Sequence, residues 1–296
     1  MFLKRIDSVF EQLNSKEERL IDFKVGLFLF QLYSVCWLFE RLTYLLVSVP
    51  ERKGFLIVPT QWLARILFQF DLDYLLLASA GICAFAVLVY QIAKRRIDTL
   101  SQFILFISIL VINTYKVSFG FLAHVDHLFM LAHFLLIAYP KRPVDVNFVS
   151  WFQVGLLLTY TLAGLLKIIV IIKSWLWLNE PTWLHPGIFW QQVKLFQEIN
   201  HRFIPSFFET VLNSPAVGIL LMITAILTQL LAVFSVMKKW SLSLYCFLLI
   251  MFHLFNYFVL QIYFHHAIAI VFCFLFPFTQ VKEWIRKNII IGFKSL

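Results

Sequence analysis

The chain has 296 residues, of which 61% are hydrophobic, 18% aromatic and 14% charged, with a formal net charge of +9 and a mean hydropathy of +0.84. A water-soluble core does not absorb that apolar fraction, and the positive residues are scattered among short connections instead of gathered on one face, which argues against nucleic acid as a partner. Lipid is the solvent these numbers imply, and because backbone polar groups facing lipid must be bonded within the segment, continuous apolar runs of ~20 residues read as membrane helices.

In chain order, residues 1–23 place Phe2, Ile6, Phe10 and Leu13 at helical spacing with charges between them, and contain no apolar core of a signal peptide. They read as an amphipathic segment on the cytoplasmic surface. About eight spans follow, near 24–48, 71–93, 98–119, 121–139, 149–172, 214–237, 240–262 and 264–281, making 24–281 one all-α transmembrane domain, with 282–296 a basic tail. An even number puts both termini on one side. With that side cytoplasmic, sixteen of the 25 Lys and Arg fall inside, including Lys94, Arg95 and Arg96, Lys238 and Lys239, and Lys282, Arg286 and Lys287. Six fall outside (Arg52, Lys53, Arg65, Lys173, Lys194 and Arg202), as the positive-inside rule requires. Residues 49–70 and 174–213, the latter with Trp175, Trp177, Trp183 and Trp190, read as interfacial helices on the outer side. Ser214 and Pro215 supply a cap and a first-turn proline for the sixth span. The four cysteines, Cys36, Cys83, Cys246 and Cys273, lie in apolar runs without metal-ligand spacing and read as buried small hydrophobes.

Ionisable groups within spans are costly and are the default functional candidates. Arg41, Lys116 and Lys167 come late in outward-running spans, His124, Asp126 and His127 early in an inward-running one, and His265 and His266 open the last. Arg41 and Lys116 are equally consistent with structural cations reaching for the surface; His124 and Asp126 read as interfacial caps, and His265 and His266 as boundary residues. Tyr160, Gly164 and Lys167 share a helix face, as do His253, Asn256 and Tyr257. Gly164 permits close approach of a helix or ligand, while desolvation at Lys167 favours a neutral amine able to act as a base. His253 is equally a packing histidine bonded to a neighbouring helix. A metal site from His124, His127, His253, His265 and His266 is a weak reading, because the histidine boxes of membrane metalloenzymes are denser; no metal is expected.

The stretch Y-T-L-A-G-L-L-K at Tyr160–Lys167, D-H-L-F-M-L at Asp126–Leu131 and F-H-L-F-N-Y at Phe252–Tyr257 together resemble the horizontally transferred transmembrane (HTTM) domain, the membrane part of vitamin K-dependent γ-carboxylases and small bacterial relatives. The resemblance implies that Lys167 is the base that deprotonates a vitamin K hydroquinone-like reduced quinone and that His127 supports the developing oxyanion. Tyr160, Gly164, His253, Asn256 and Tyr257 then shape the cofactor pocket. Oxygen addition would yield a strong base acting on a glutamate of a secreted peptide or protein, inside a site that excludes water. The chain departs from the family pattern after Lys167, where Trp175 is followed by Leu176, Trp177 and Leu178 without the usual Trp-x-x-Gly. The expected function is a quinol-using enzyme in the bacterial inner membrane, working with a separate substrate-holding subunit. The alternative is a non-catalytic partner of the same fold, serving assembly, toxin maturation or immunity.

Overall fold

A computed structural model describes residues 16–52, 73–118, 126–139, 144–178, 214–259 and 264–286. Those residues form nine α-helices: α1 Lys16–Arg52, α2 Asp73–Lys94, α3 Thr99–Ser118, α4 His127–Leu135, α5 Val146–Lys173, α6 Pro215–Leu230, α7 Lys239–Val259, α8 His265–Leu275 and α9 Phe278–Ile285. Short 3-10 turns extend α4 (Leu136–Ala138) and follow α6 (Ala232–Met237), and a π turn, Ser174–Leu178, ends α5. No strand occurs among the described residues.

Five helical stretches are long and apolar enough to cross a bilayer: Glu17–Val47, Tyr74–Lys94, Thr99–Lys116, Val146–Leu176 and Trp240–Phe258. Counting the broken pair α8 and α9 as one span makes six, and His127–Ala138 and Ala216–Leu230 are shorter apolar helices. The chain is an integral membrane protein. Its outward surface says the same thing: Ile82, Leu75, Leu166, Phe247 and Trp151 stand exposed, which water would penalise and lipid does not. Cys36 and Cys83 belong to that outward surface and only Cys246 and Cys273 are buried. The expectation of four buried thiols is thus corrected, because in lipid an apolar neighbourhood does not imply an interior position.

Helix α1 begins at Lys16, before the expected start at 24, with Glu17 and Glu18 in its first turn, where acidic side chains complement the helix dipole. Residues 1–15, the segments 53–72 and 179–213 expected to be interfacial, and the tail from 287 lie outside the described residues.

The described chain divides into two compact units. In the first, residues 16–152 with the chain from 277, helices α2 and α3 form a hairpin through residues 95–98, and α1 packs against α2. Phe23, Phe30, Trp37, Leu88, Leu105, Ile109 and Phe129 are almost wholly buried. Trp37 stacks on Phe129 at 4.5 Å between ring centroids, an arrangement that adds to what burial alone contributes. The Asp22 carboxylate of α1 accepts from the backbone N–H (2.7 Å) and hydroxyl (3.0 Å) of Thr279, holding the first turn of α9.

In the second unit, residues 153–276, α7 packs along α8, and α6 passes across α5 at Gly164. A Cβ placed on Gly164 would lie 2.7 Å from the Leu230 backbone nitrogen and 3.1 Å from Gln229 Cβ, so only glycine admits this crossing. One turn before Gly164, Thr161 Oγ1 accepts from the Val233 N–H at 3.1 Å, satisfying a donor just past the end of α6. Gln153 donates to the Phe274 carbonyl, a group next to the end of α8, at 2.9 Å. Ser214 and Pro215 do open α6, although the Ser214 side chain makes no capping bond.

Candidate functional site

In the 153–276 unit, the stripe Tyr160, Gly164, Lys167 on α5 faces two different helices. Tyr160, seven per cent exposed, meets α7, where its hydroxyl and His253 Nε2 are 2.8 Å apart. His253 is itself buried, and its second ring nitrogen, Nδ1, has no hydrogen-bond partner among the described residues. Phe264 packs against the same ring at 5.3 Å between centroids. Asn256, three residues on, is buried on the same face of α7, and Tyr257 beside it is half-buried. An orphaned ring nitrogen inside a bilayer protein costs free energy, of the order of 1–3 kcal/mol for a neutral polar group, so the site is built with a polar atom to spare.

Lys167 lies two turns beyond Tyr160 and donates to Gln229 Oε1 on α6. Gln229 is buried and sits where Gly164 lets α6 come close, so the glycine sets the position of the amide that receives the lysine. Beyond it, Ile168, Ile171, Ile223, Ile226 and Leu227 line a wholly apolar groove of about 210 Å³.

His127, the proposed partner of Lys167, belongs to the other unit and stands exposed at the first residue of α4. His124 lies outside the described residues. His265 is exposed and His266 buried, with ring centroids 3.8 Å apart.

The 16–152 unit carries two polar clusters that the sequence reading did not assemble. Asp126 is fully buried, and its carboxylate binds Arg41 at 2.8 Å and Lys116 at 2.9 Å, with the Trp37 indole donating at 3.2 Å. The expectation that Asp126 caps its helix is corrected: it occupies the cap position but makes no side-chain capping bond, because two buried cations claim its oxygens. Arg41 and Lys116 are six and seven per cent exposed, so neither reaches for the surface.

The second cluster is a directional relay. Gln31 donates to Gln91 (3.4 Å), Gln91 donates to Gln102 and Ser101 (3.2 Å each), and Gln102 donates to the His133 carbonyl at 2.9 Å with its nitrogen 3.2 Å from His133 Nδ1. Ser34 spends its proton on the Phe30 carbonyl at 2.7 Å, so it accepts from His133 Nε2 at 3.1 Å. That sequence of donors assigns the proton of His133 to Nε2. His133, Gln91, Gln102 and Gln229 sit in apolar runs, and the signal that finds them is the same that found Lys167: a polar side chain in lipid requires a partner on another helix.

Fold and sites together define a polytopic helical membrane protein with buried polar constellations in each unit. Comparisons with protein-family models, with curated proteins and with solved structures give no match to the chain.

Proposed function

We propose that the chain is a bundle of about eight spans with interfacial helices on its outer side and both termini in the cytoplasm of a bacterial inner membrane. In this reading it is a membrane enzyme resembling the HTTM domain, working with a reduced quinone on a secreted peptide or protein held by a partner subunit. The eight-span count is supported by the two short apolar helices and the broken pair, which fall on the expected fourth, sixth and eighth spans. The observation that carries the functional reading is the Tyr160–His253 hydrogen bond with His253 Nδ1 left over, on the helix pair adjoining Lys167.

A phenolic or quinonoid oxygen fits those residues, since it accepts from an N–H or donates to a ring nitrogen, and His253, Tyr160 and Asn256 present both kinds of group on buried faces. When bound, a quinol supplies reducing equivalents and an acidic hydroxyl proton. Lys167 is suited to exchange that proton, with its Nζ fixed on the α6 side by the Gln229 amide oxygen. Gly164 keeps Gln229, and through it Lys167, in place.

The test uses an azido-menaquinone photoprobe and reduced menaquinone in proteoliposomes. The parent chain is expected to be labelled on α5 or α7, with labelling lowered about tenfold or more in Tyr160→Phe and His253→Ala, as loss of a hydrogen bond in a dry site implies. Lys167→Ala should keep the labelling and lose quinol-dependent oxygen uptake. Equal labelling of the parent and His253→Ala refutes the pocket, and oxygen uptake unchanged in Lys167→Ala refutes the base. The Lys167–Gln229 bond also favours a second reading, in which the lysine only ties α5 to α6 and the chain is a non-catalytic assembly, toxin-maturation or immunity factor. Oxygen uptake absent from the parent chain while Lys167→Ala loses folding stability selects that reading.

A further inference from the structure

Helices α2 and α3 have 22 and 20 residues, about 30 Å each at ~1.5 Å per residue, so the turn joining two such spans lies at a membrane surface. Three cations stand exposed there in succession, Lys94, Arg95 and Arg96. Arg95 holds a φ of 48°, with its N–H on the Ile92 carbonyl and the Arg96 N–H on the Gln91 carbonyl, both at 3.2 Å. That is a Schellman ending with arginine at the position glycine normally takes. The left-handed backbone disfavours a side chain, yet the position holds a long cation turned out of the helix end.

Next to the turn is a groove of about 490 Å³, almost wholly apolar, bounded by Asp98, Thr99, Leu100, Phe103 and Ile137. Leu100 and Phe103 are 69% and 49% exposed in it. The Asp98 carboxylate at its rim is taken up by the Ser101 N–H at 2.9 Å, leaving the turn with three cations and one already engaged carboxylate. An apolar groove beside a turn at a membrane surface, next to an excess of positive charge, matches one amphiphile in charge and in polarity order.

We propose that the α2–α3 turn binds an anionic phospholipid, its phosphate at Lys94–Arg96 and an acyl chain in the groove along Leu100 and Phe103. Neighbouring basic side chains at a membrane surface attract anionic lipid additively, each by a factor of about five. This site is independent of the quinol reading and of which side of the membrane the turn occupies.

The experiment reads the lipids retained by the purified chain, in native mass spectrometry, after exchange into equimolar phosphatidylcholine and phosphatidylglycerol. The parent chain should retain phosphatidylglycerol preferentially. The preference should fall about fivefold per charge removed in Arg95→Gly and Arg96→Gln, the first of which leaves a glycine where the backbone accepts one. Leu100→Ala with Phe103→Ala should lower retention of both lipids while the headgroup preference persists. Lys238→Gln, at a different turn, should change neither. A preference unaltered by Arg95→Gly and Arg96→Gln overturns the proposal. So does an equal loss in Lys238→Gln, which would mean bulk surface charge, or displacement by excess glycerol phosphate, which would mean a site for soluble anions.

Discussion

Replacing Asp126 by asparagine should be among the most damaging single changes of one side chain in the 16–152 unit. The carboxylate is fully buried and serves two cations, Arg41 and Lys116, each within 2.9 Å. Removing one partner of a buried ion pair costs about 3–5 kcal/mol, since the remaining charge keeps its desolvation penalty and loses its compensation. Here one substitution strands two charges, so the loss belongs in the upper part of that range, eased only by the amide oxygen that asparagine still offers Arg41. Lys116→Met has a different consequence, because a neutral Arg41–Asp126 pair survives it. It should cost about 1.5–3 kcal/mol, the worth of one charged hydrogen bond. The triple replacement Arg41→Met, Lys116→Met, Asp126→Leu should recover much of the Asp126→Asn loss, since apolar groups of similar volume replace a buried ionic cluster at little cost. Reversible unfolding in mixed micelles with increasing anionic detergent measures all three. Asp126→Asn within about 1 kcal/mol of the parent, or milder than Lys116→Met, refutes the reasoning.

Gly164→Ala places a methyl 2.7 Å from the Leu230 backbone nitrogen; overpacking of this kind costs about 1–3 kcal/mol, and the same unfolding assay should show it together with altered reactivity of Lys167 toward amine reagents. Asp98 immediately precedes α3, and the Ser101 N–H, its main influence, with the Ser101 hydroxyl and nearby Arg96, hold its carboxyl below the usual range. A carboxyl lowered in the folded state stabilises fully above its unfolded value and loses that contribution as pH falls through the folded one. Asp98→Ala should therefore lower the melting temperature at neutral pH, by the equivalent of about 1 kcal/mol or less at so solvent-screened a position, and the difference from the parent should shrink as pH falls through the lowered carboxyl value. A difference that persists in acid refutes the cap. Arg95→Gly should raise thermal stability by about 0.5–1 kcal/mol, the left-handed strain relieved less the added chain entropy of glycine, and a decrease contradicts the backbone reading.

Span location was legible because it is a local property. A run such as Tyr74–Lys94 is apolar over its whole length whatever its neighbours do, and lipid leaves a continuous helix as the way to satisfy its backbone. Helix faces were legible for the same reason: Tyr160, Gly164 and Lys167 share a side of α5 by periodicity alone. Which helix each face meets is another kind of information. Tyr160 finds a partner 93 residues away, Gln31 one 60 away, and Arg41 an aspartate 85 away, and no spacing within a span records which other span stands beside it. Asp126 shows the difference most clearly, since its position before α4 reads as a cap and only Arg41 and Lys116, brought in from α1 and α3, turn it into the centre of an ion cluster.

By itself, then, the amino-acid order settled the solvent, the helices and the direction in which each polar side chain leaves its helix, all consequences of a 3.6-residue period in hydrocarbon. The tertiary structure decided which of those side chains meet. It set Lys167 on Gln229, gave His133 a relay of glutamines and left His253 one nitrogen to spare, because in lipid the choice among neighbouring helices rests on close packing and on matching scarce polar groups.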